Sequence, residues 1–528
     1  MKSLMKKVFA AAAAIATVFG LAATTVATAN AADNATLTVS TTDAKFAGKT
    51  VTAYKLFSAT VSGDGKAVSY TLTDEWKPFF KNSVGLTGVT DENVNDKAND
   101  YVSKLSEEGL KAFATKASNW AQTKANNITA DATATVSADA SNGKYTATFT
   151  GLGYGYYVVA VPGATLANAK SQYATLVSVH STKVDADIKG DLPTVDKKVQ
   201  VDGTGKDATD AKIGDTLTFT LTSTIPDMSA YDTYTFNFKD TLSKGLTFGQ
   251  VKSVKVENVT LTENTDYTVT TPTASNNNTL TVAMKDFKTK QQANAGKKIT
   301  VTYTATLNKD AVVGGAGNVN SATIQYSNNP SASGTGESEP SKVRVFTYGF
   351  TVDKYTGDQY TDAATRLAGA EFTLAHKDGS AISFVQVSAG SATANAVYRV
   401  AKAGETGTTT ITTPANGKVV FEGLKNGEYT LTETKAPAGY NKLASAIGVK
   451  VNGQNNGTDT TNATVTITYN NDNGNDYNQT ASNGVIPVQN KSGAILPGTG
   501  GMGTIAFTVI GVLVIALGVA WTLKRKNA

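Results

Sequence analysis

From Ile299 to Leu307 the chain reads Ile-Thr-Val-Thr-Tyr-Thr-Ala-Thr-Leu, apolar and polar in strict alternation. A period of two is what a strand with one buried face requires, because successive side chains point to opposite faces. On a helix the same pattern would scatter apolar residues around the circumference. Leu217-Thr-Phe-Thr-Leu221 alternates in the same way, and short runs rich in Thr, Val, Tyr and Phe, separated by Gly, Asn and Asp, fill most of the chain. Short strands with frequent turns pack as sandwiches of two sheets rather than as α/β units. Only 91–124 departs from this, with Tyr101, Leu105, Leu110, Phe113 and Trp120 loosely at helical spacing. The fold expected is all-β, with some helix in the N-terminal domain.

The repeat Thr194-Val-Asp-Lys197 and Thr351-Val-Asp-Lys354 opens two successive runs of strands. It places domains at 32–190, 191–345 and 346–492. Ahead of them, Lys2, Lys6 and Lys7 precede the apolar run Val8 to Val18 and the small residues Ala29-Asn30-Ala31. That is the layout of a secretory signal peptide over 1–31. Behind them, 502–523 is almost wholly apolar and is followed by Lys524-Arg525-Lys526, the pattern of a transmembrane span with a basic cytoplasmic flank. The chain has no cysteine, so disulfides cannot stabilise it outside the cell. The net charge of +5 is a product of the ends. Removing their six basic residues from 48 leaves 42 against 43 acidic ones, or −1. A near-neutral body argues against nucleic acid as a partner.

Just before the apolar stretch stands Leu496-Pro497-Gly498-Thr499-Gly500. Pentapeptide, apolar stretch and basic tail in that order resemble the LPxTG sorting signal of Gram-positive wall proteins, here over 493–528. The resemblance implies that a sortase cuts between Thr499 and Gly500, holds the Thr499 carbonyl as a thioester and passes it to an amine.

In the third domain, Tyr429-Thr-Leu-Thr-Glu-Thr-Lys-Ala-Pro-Ala-Gly-Tyr440 puts Tyr429, Leu431 and Glu433 on one face of a strand. A carboxylate on an apolar face must be protonated, paired or both. Lys354 shares its face with Phe350 and Val352, and Asn490 with Ile486 and Val488. Parity alone would also allow a buried ion pair. The motif resembles the E-box of Cna-B-like domains, YxLxETxAPxGY, which implies immunoglobulin-like (Cna-type) sandwiches and a self-formed Lys354–Asn490 isopeptide bond. Glu433 would be the acid that polarises the carboxamide and relays protons. One apolar pocket suits both groups, since burial lowers a lysine pKa and raises a glutamate pKa.

The second domain repeats the pattern with Asp for Glu. Lys197 shares a face with Val195, Val199 and Val201; Asp240 with Phe236 and Phe238; and Asn320, on what reads as the last strand, with Ala322, Ile324 and Tyr326. This resembles the isopeptide-forming central domain of fimbrial backbone subunits, and implies a Lys197–Asn320 bond assisted by Asp240. Lys198 is the rival to Lys197, and Asn318 has the parity of Asn320. In the first domain Gly151-Leu-Gly-Tyr-Gly-Tyr-Tyr157 reads as a packed aromatic strand with no Glu after it, and no crosslink is expected there.

Backbone pilins carry an acceptor lysine near the junction of their first two domains, and Lys189 occupies that place, with Lys183 as the alternative. The W-x-x-x-V-x-V-Y-P-K form of the pilin motif is absent. An exported enzyme is disfavoured, since His180 and His376 are the only histidines and no H-E-x-x-H or G-x-S-x-G pattern occurs. The resemblance implies a surface pilus shaft subunit, with no metal or cofactor. Its partners would be a class C-type pilus sortase, a housekeeping sortase, peptidoglycan, further copies of itself, a tip pilin and host-surface ligands. The alternative is a monomeric wall-anchored adhesin of the same domain type.

Overall fold

The computed structural model describes residues 34–63, 67–139, 143–164, 174–229, 231–329, 334–361, 364–454, 463–470, 477–493 and 502–526. The signal peptide over 1–31 and the pentapeptide 496–500 lie outside the described residues. The chain divides into two compact units, one holding 1–348 with 423–425 and 453–465, the other holding 349–422, 426–452 and 466–528.

In the first unit, residues 35–187 form two sheets. The smaller has the strand order Ser137–Asp139, Lys144–Leu152, Ala35–Thr41, Lys183–Asp187. In the larger, Thr50–Val61 and Gly155–Ala160 are central, and Gly155–Ala160 is buried at every position. Gly151 to Tyr157 is therefore not one strand. It leaves the first sheet at Leu152 and enters the second at Gly155, and Gly151 takes the left-handed φ of +72° that the crossing uses. The expected helix is two helices, Val94–Ser103 and Glu107–Gln122. Ser106 caps the second by accepting from the Gly109 amide, with Glu107 and Glu108 in its first turn, so a new helix starts where one was expected to continue. Lys77–Asn82 adds a short third.

Residues 196–346 form a six- and a seven-stranded sheet. The first carries Asp196–Val201, Thr216–Thr224 and Lys298–Leu307 side by side, and the second carries Ser341–Phe346, Asn318–Asn329 and Phe236–Leu242. The alternation that marked Ile299 to Leu307 is realised: Ile299, Val301, Tyr303, Ala305 and Leu307 are fully buried. Asn318–Asn329 is not the last strand of this pair of sheets. Gly334–Glu337 and Ser341–Phe346 follow, both paired with it; the first carries little alternation, while Lys342-Val343-Arg344-Val345 in the second does alternate.

In the second unit two six-stranded sheets dominate. One is built around Tyr348–Thr356, which pairs in parallel with Val485–Gln489, and the other holds Glu371–His376, Gly427–Lys435 and Ile447–Gln454. The tail is a helix, Met502–Lys526. Among the described residues no helix is long and apolar enough to cross a membrane. The span expected at 502–523 is not supported.

Candidate functional site

Two fully buried polar clusters stand out, one in each pair of sandwich sheets beyond residue 190. In the second unit, parallel pairing sets Lys354 opposite Val488, and the Asn490 amide extends that ladder by donating to Tyr355 O at 3.0 Å. Lys354 and Asn490 are thus neighbours in one sheet, and Glu433 reaches them from the other. Lys354 Nζ lies 2.9 Å from Glu433 Oε1, with both side chains at 0% exposure. Asn490 Nδ2 donates to the other carboxylate oxygen, Oε2, at 3.1 Å and to Asn441 O at 2.8 Å. The Leu443 amide also donates to Oε2, at 2.8 Å. One carboxyl group therefore touches an amine on one oxygen and a carboxamide on the other.

In the central sandwich the same three side-chain types meet by a different topology. Lys197 comes from one sheet, opposite Leu221, while Asp240 and Asn320 come from adjacent strands of the other. Lys197 Nζ is ion-paired to Asp240 Oδ2, both at 0% exposure. Tyr303 bridges the set: its hydroxyl accepts from Lys197 Nζ at 2.9 Å and from Asn320 Nδ2 at 2.6 Å. Phe219 and Tyr303 place their rings 5.2 Å from the amine.

The rivals are engaged elsewhere. Lys198 is half-exposed and paired with Asp207 and Asp196. Asn318 is buried but brackets a turn, accepting from the Val312 amide at 2.9 Å and donating to Val312 O and Val345 O, both at 3.1 Å. A side chain at Gly245 would place its Cβ 2.2 Å from Asn318 Oδ1, so that position admits only glycine.

Desolvation dominates both amines. Burial pulls the Lys354 ammonium down to about 8, against the opposing pull of Glu433. Burial also lowers Lys197, with Asp240 resisting. Tyr303 is pushed well above its ordinary value, first by burial and then by the Asp240 charge. Asp240 Oδ1, Asn320 Oδ1, Glu433 Oε1, Asn490 Oδ1 and Lys354 Nζ are all buried without a hydrogen-bond partner; the 2.9 Å Lys354–Glu433 contact lacks hydrogen-bond geometry. Such orphaned groups cost about 1–3 kcal/mol each, more when charged. Joining amine and carboxamide would relieve them: a neutral amide replaces the charged amine, and a protonated acid can donate to its carbonyl.

Sequence reasoning passed over Tyr303 and the loop carrying Asn441 and Leu443. The loop acts through backbone groups and leaves no side-chain signal. Tyr303 did leave one, as the single hydroxyl on an otherwise aliphatic strand face, since a buried tyrosine hydroxyl needs a partner. Tyr303→Phe is expected to slow Lys197–Asn320 bonding at least about tenfold, on the scale of a lost proton-relaying group. The check is the bonded fraction of the 197/320 peptide pair during refolding; a time course equal to the unmodified chain would remove Tyr303 from the chemistry. Among the described residues of 34–190 the buried polar side chains are Thr52, Ser118 and Gln122. Lys189 lies on the segment after the first pair of sheets, its amine 3.1 Å from Asp187.

Two sandwiches, each with a lysine, an acid and an asparagine sealed in its core, define a class of structural module rather than an enzyme cleft. Residues 213–330 match the Gram-positive pilin backbone subunit 2, Cna-B-like domain, and residues 358–466 match the SpaA prealbumin-like fold domain. These two segments of the chain are thus similar to domains of Gram-positive backbone pilins. The trypsin-resistant surface T6 protein of Streptococcus pyogenes is 25% identical over 279 residues, 48% of this chain and 44% of that protein. The match thus spans less than half of that relative's length. Among solved structures, the T6 backbone pilin of S. pyogenes is similar over 80% of this chain and 83% of its own, at 20% identity and a TM-score of 0.45. A C-terminal fragment of the major pilin GBS80 of Streptococcus agalactiae is similar over 57% of this chain and all of its own, at 25% identity and a TM-score of 0.41.

Proposed function

We propose that this chain is the shaft subunit of a covalently polymerised, sortase-assembled surface pilus, hardened by two self-formed isopeptide bonds, Lys197–Asn320 and Lys354–Asn490. The observation that carries the reading is the pair of buried lysine–acid–carboxamide clusters within backbone-pilin domains. In each, the neutral amine attacks the carboxamide carbon, the carbon–nitrogen bond to the new amide forms, and ammonia leaves. Glu433, in contact with both nitrogens, takes the proton from Lys354 and delivers it to the departing nitrogen of Asn490. Asp240, with Tyr303, does the same between Lys197 and Asn320.

Polymerisation uses the chain's ends. A pilus sortase cleaves between Thr499 and Gly500 of the Leu496-Pro497-Gly498-Thr499-Gly500 signal, and the Lys189 amine of the next copy takes the Thr499 acyl group. A housekeeping sortase passes the finished polymer to peptidoglycan. Secretion through the 1–31 signal precedes both steps. In cell-wall extracts boiled in denaturant, the chain is expected to run as a ladder of high-mass species. Lys189→Ala should collapse the ladder to a wall-anchored monomer, and tandem mass spectrometry of the polymer should find Thr499 joined to Lys189. A wild-type chain that never forms a ladder would instead be a monomeric wall adhesin.

A further inference from the structure

Lys183, Asp185, Asp187 and Lys189 follow one another at every second position. The strand Lys183–Asp187 lies at the edge of its sheet, paired in parallel with Ala35–Thr41. Its three charged residues are exposed while Val184 and Ala186 are half-buried. The Ile188 amide prolongs the ladder by donating to Ser40 O at 2.9 Å, so the alternation carries through to Lys189. Lys189 Nζ donates to Asp187 Oδ2 at 3.1 Å, with the two side chains 38% and 62% exposed. The nearest other acid in sequence, Asp191, is held by the Lys45 ammonium and by the Leu192 amide at 2.9 Å. Lys183 forms no ion pair among the described residues.

The geometry points to Asp187 as the base for the Lys189 amine during polymerisation, an inference that rests on the reading of Lys189 as the acceptor. When the neutral amine attacks the thioester carbonyl of Thr499 on another copy, a carbon–nitrogen bond forms and the nitrogen becomes a cation. That intermediate reverts unless the nitrogen loses a proton. The Asp187 carboxylate, already within hydrogen-bond reach, accepts it. The carbon–sulfur bond then breaks, the sortase thiolate leaves and is protonated, and Asp187 returns its proton to water. The products are one amide and one thiol. Asp185 is four residues from Lys189, about 13 Å along an extended strand, too far to serve. Lys183, on the edge strand itself, makes no such contact with Asp185, which distinguishes Lys189 from it chemically.

The test uses the full chain in a pilus-forming host, with ladder growth timed after induction. Asp187→Asn is expected to slow polymerisation about a hundredfold, within the range of a lost general base. Monomer should still reach the wall through Thr499, and the residual rate should rise with external pH as hydroxide substitutes for the carboxylate. Asp187→Glu should restore much of the rate, and Asp185→Asn should leave it within about twofold, as expected of a group outside hydrogen-bond reach. A merely structural role for Asp187 would not move the pH profile. A ladder growing at the wild-type rate in Asp187→Asn, while Lys189→Ala abolishes it, would overturn the base and leave the shaft reading intact. A ladder that persists in Lys189→Ala, with its junction at Lys183, would overturn both the base and the acceptor.

Discussion

Glu433→Ala is expected to leave the second unit unbonded and to lower its melting temperature by roughly 20 °C. Two losses combine. The crosslink from Lys354 to Asn490 closes a loop of more than a hundred residues, a constraint of about 5 kcal/mol in the chain-entropy account. Removing the acid also strands a buried amine at 0% exposure against an amide, and breaking one side of a buried pair costs about 3–5 kcal/mol. A sum near 8 kcal/mol, at about 2–4 °C per kcal/mol for a domain of this size, gives the shift. Asn490→Ala should lose only the covalent part, because it keeps the Lys354–Glu433 pair. Intact mass decides the chemistry first: the purified ectodomain should be lighter than its sequence by two ammonia molecules, and Glu433→Ala by one. A wild-type chain at full sequence mass would sink both bonds.

The second large effect is on the pH dependence of bond formation. The reactive state holds a single proton in the Lys354–Glu433 pair, with the amine neutral and the acid protonated. The resting ion pair holds the same proton in the other position. Moving between them needs no exchange with water, so the rate should be level below the point at which the pair deprotonates. Burial sets that point, the Lys354 value of about 8. Above it the shared proton leaves, the acid can no longer polarise the carboxamide, and the rate should fall about tenfold per pH unit. The measurement is ammonia loss from unreacted chain, recovered in denaturant and refolded by dilution at pH 6 to 10. If neutrality of the amine alone were limiting, the rate would climb through pH 8, and the relay role of Glu433 would fall.

What was legible in the sequence was whatever alternation encodes. Glu433, Lys354, Lys197 and Asp240 are charges standing where period two demands an apolar residue, and all four are buried. Parity could not separate Asn318 from Asn320, because both point inward and both are buried. Their difference lies in what each carboxamide meets, a turn backbone for Asn318 and the Tyr303 hydroxyl for Asn320. The helical stretch was visible but its interruption was not, since the apolar spacing of Tyr101 to Trp120 runs across the Ser106 cap. The end of the central sandwich was misread for a related reason. After Asn329 the chain becomes rich in Ser, Gly and Pro, which reads as the end of the strands, and the short alternation Lys342-Val343-Arg344-Val345 beyond it was passed over.

That misread ending has a mechanical meaning. With both bonds formed, a pull applied between Lys189 and Thr499 does not travel through the whole chain. It runs from 189 to 197, jumps to Asn320, follows the backbone to Lys354, jumps to Asn490 and leaves through the tail. The stretches 198–319 and 355–489 hang as closed loops that bear no load. Had Asn320 stood on the final strand, almost nothing folded would be left on the taut line. Because Gly334–Glu337 and Ser341–Phe346 come after it, they are held in place by hydrogen bonds and the burial of Val343, Val345 and Phe346, with no covalent tie. Stripping them, with the rest of the Asn320 strand, frees the backbone between 320 and 347, about 9 nm at full extension. A fibre of such subunits would be inextensible except for one short reserve per subunit, which lengthens under a sharp tug and pairs again when the strain passes.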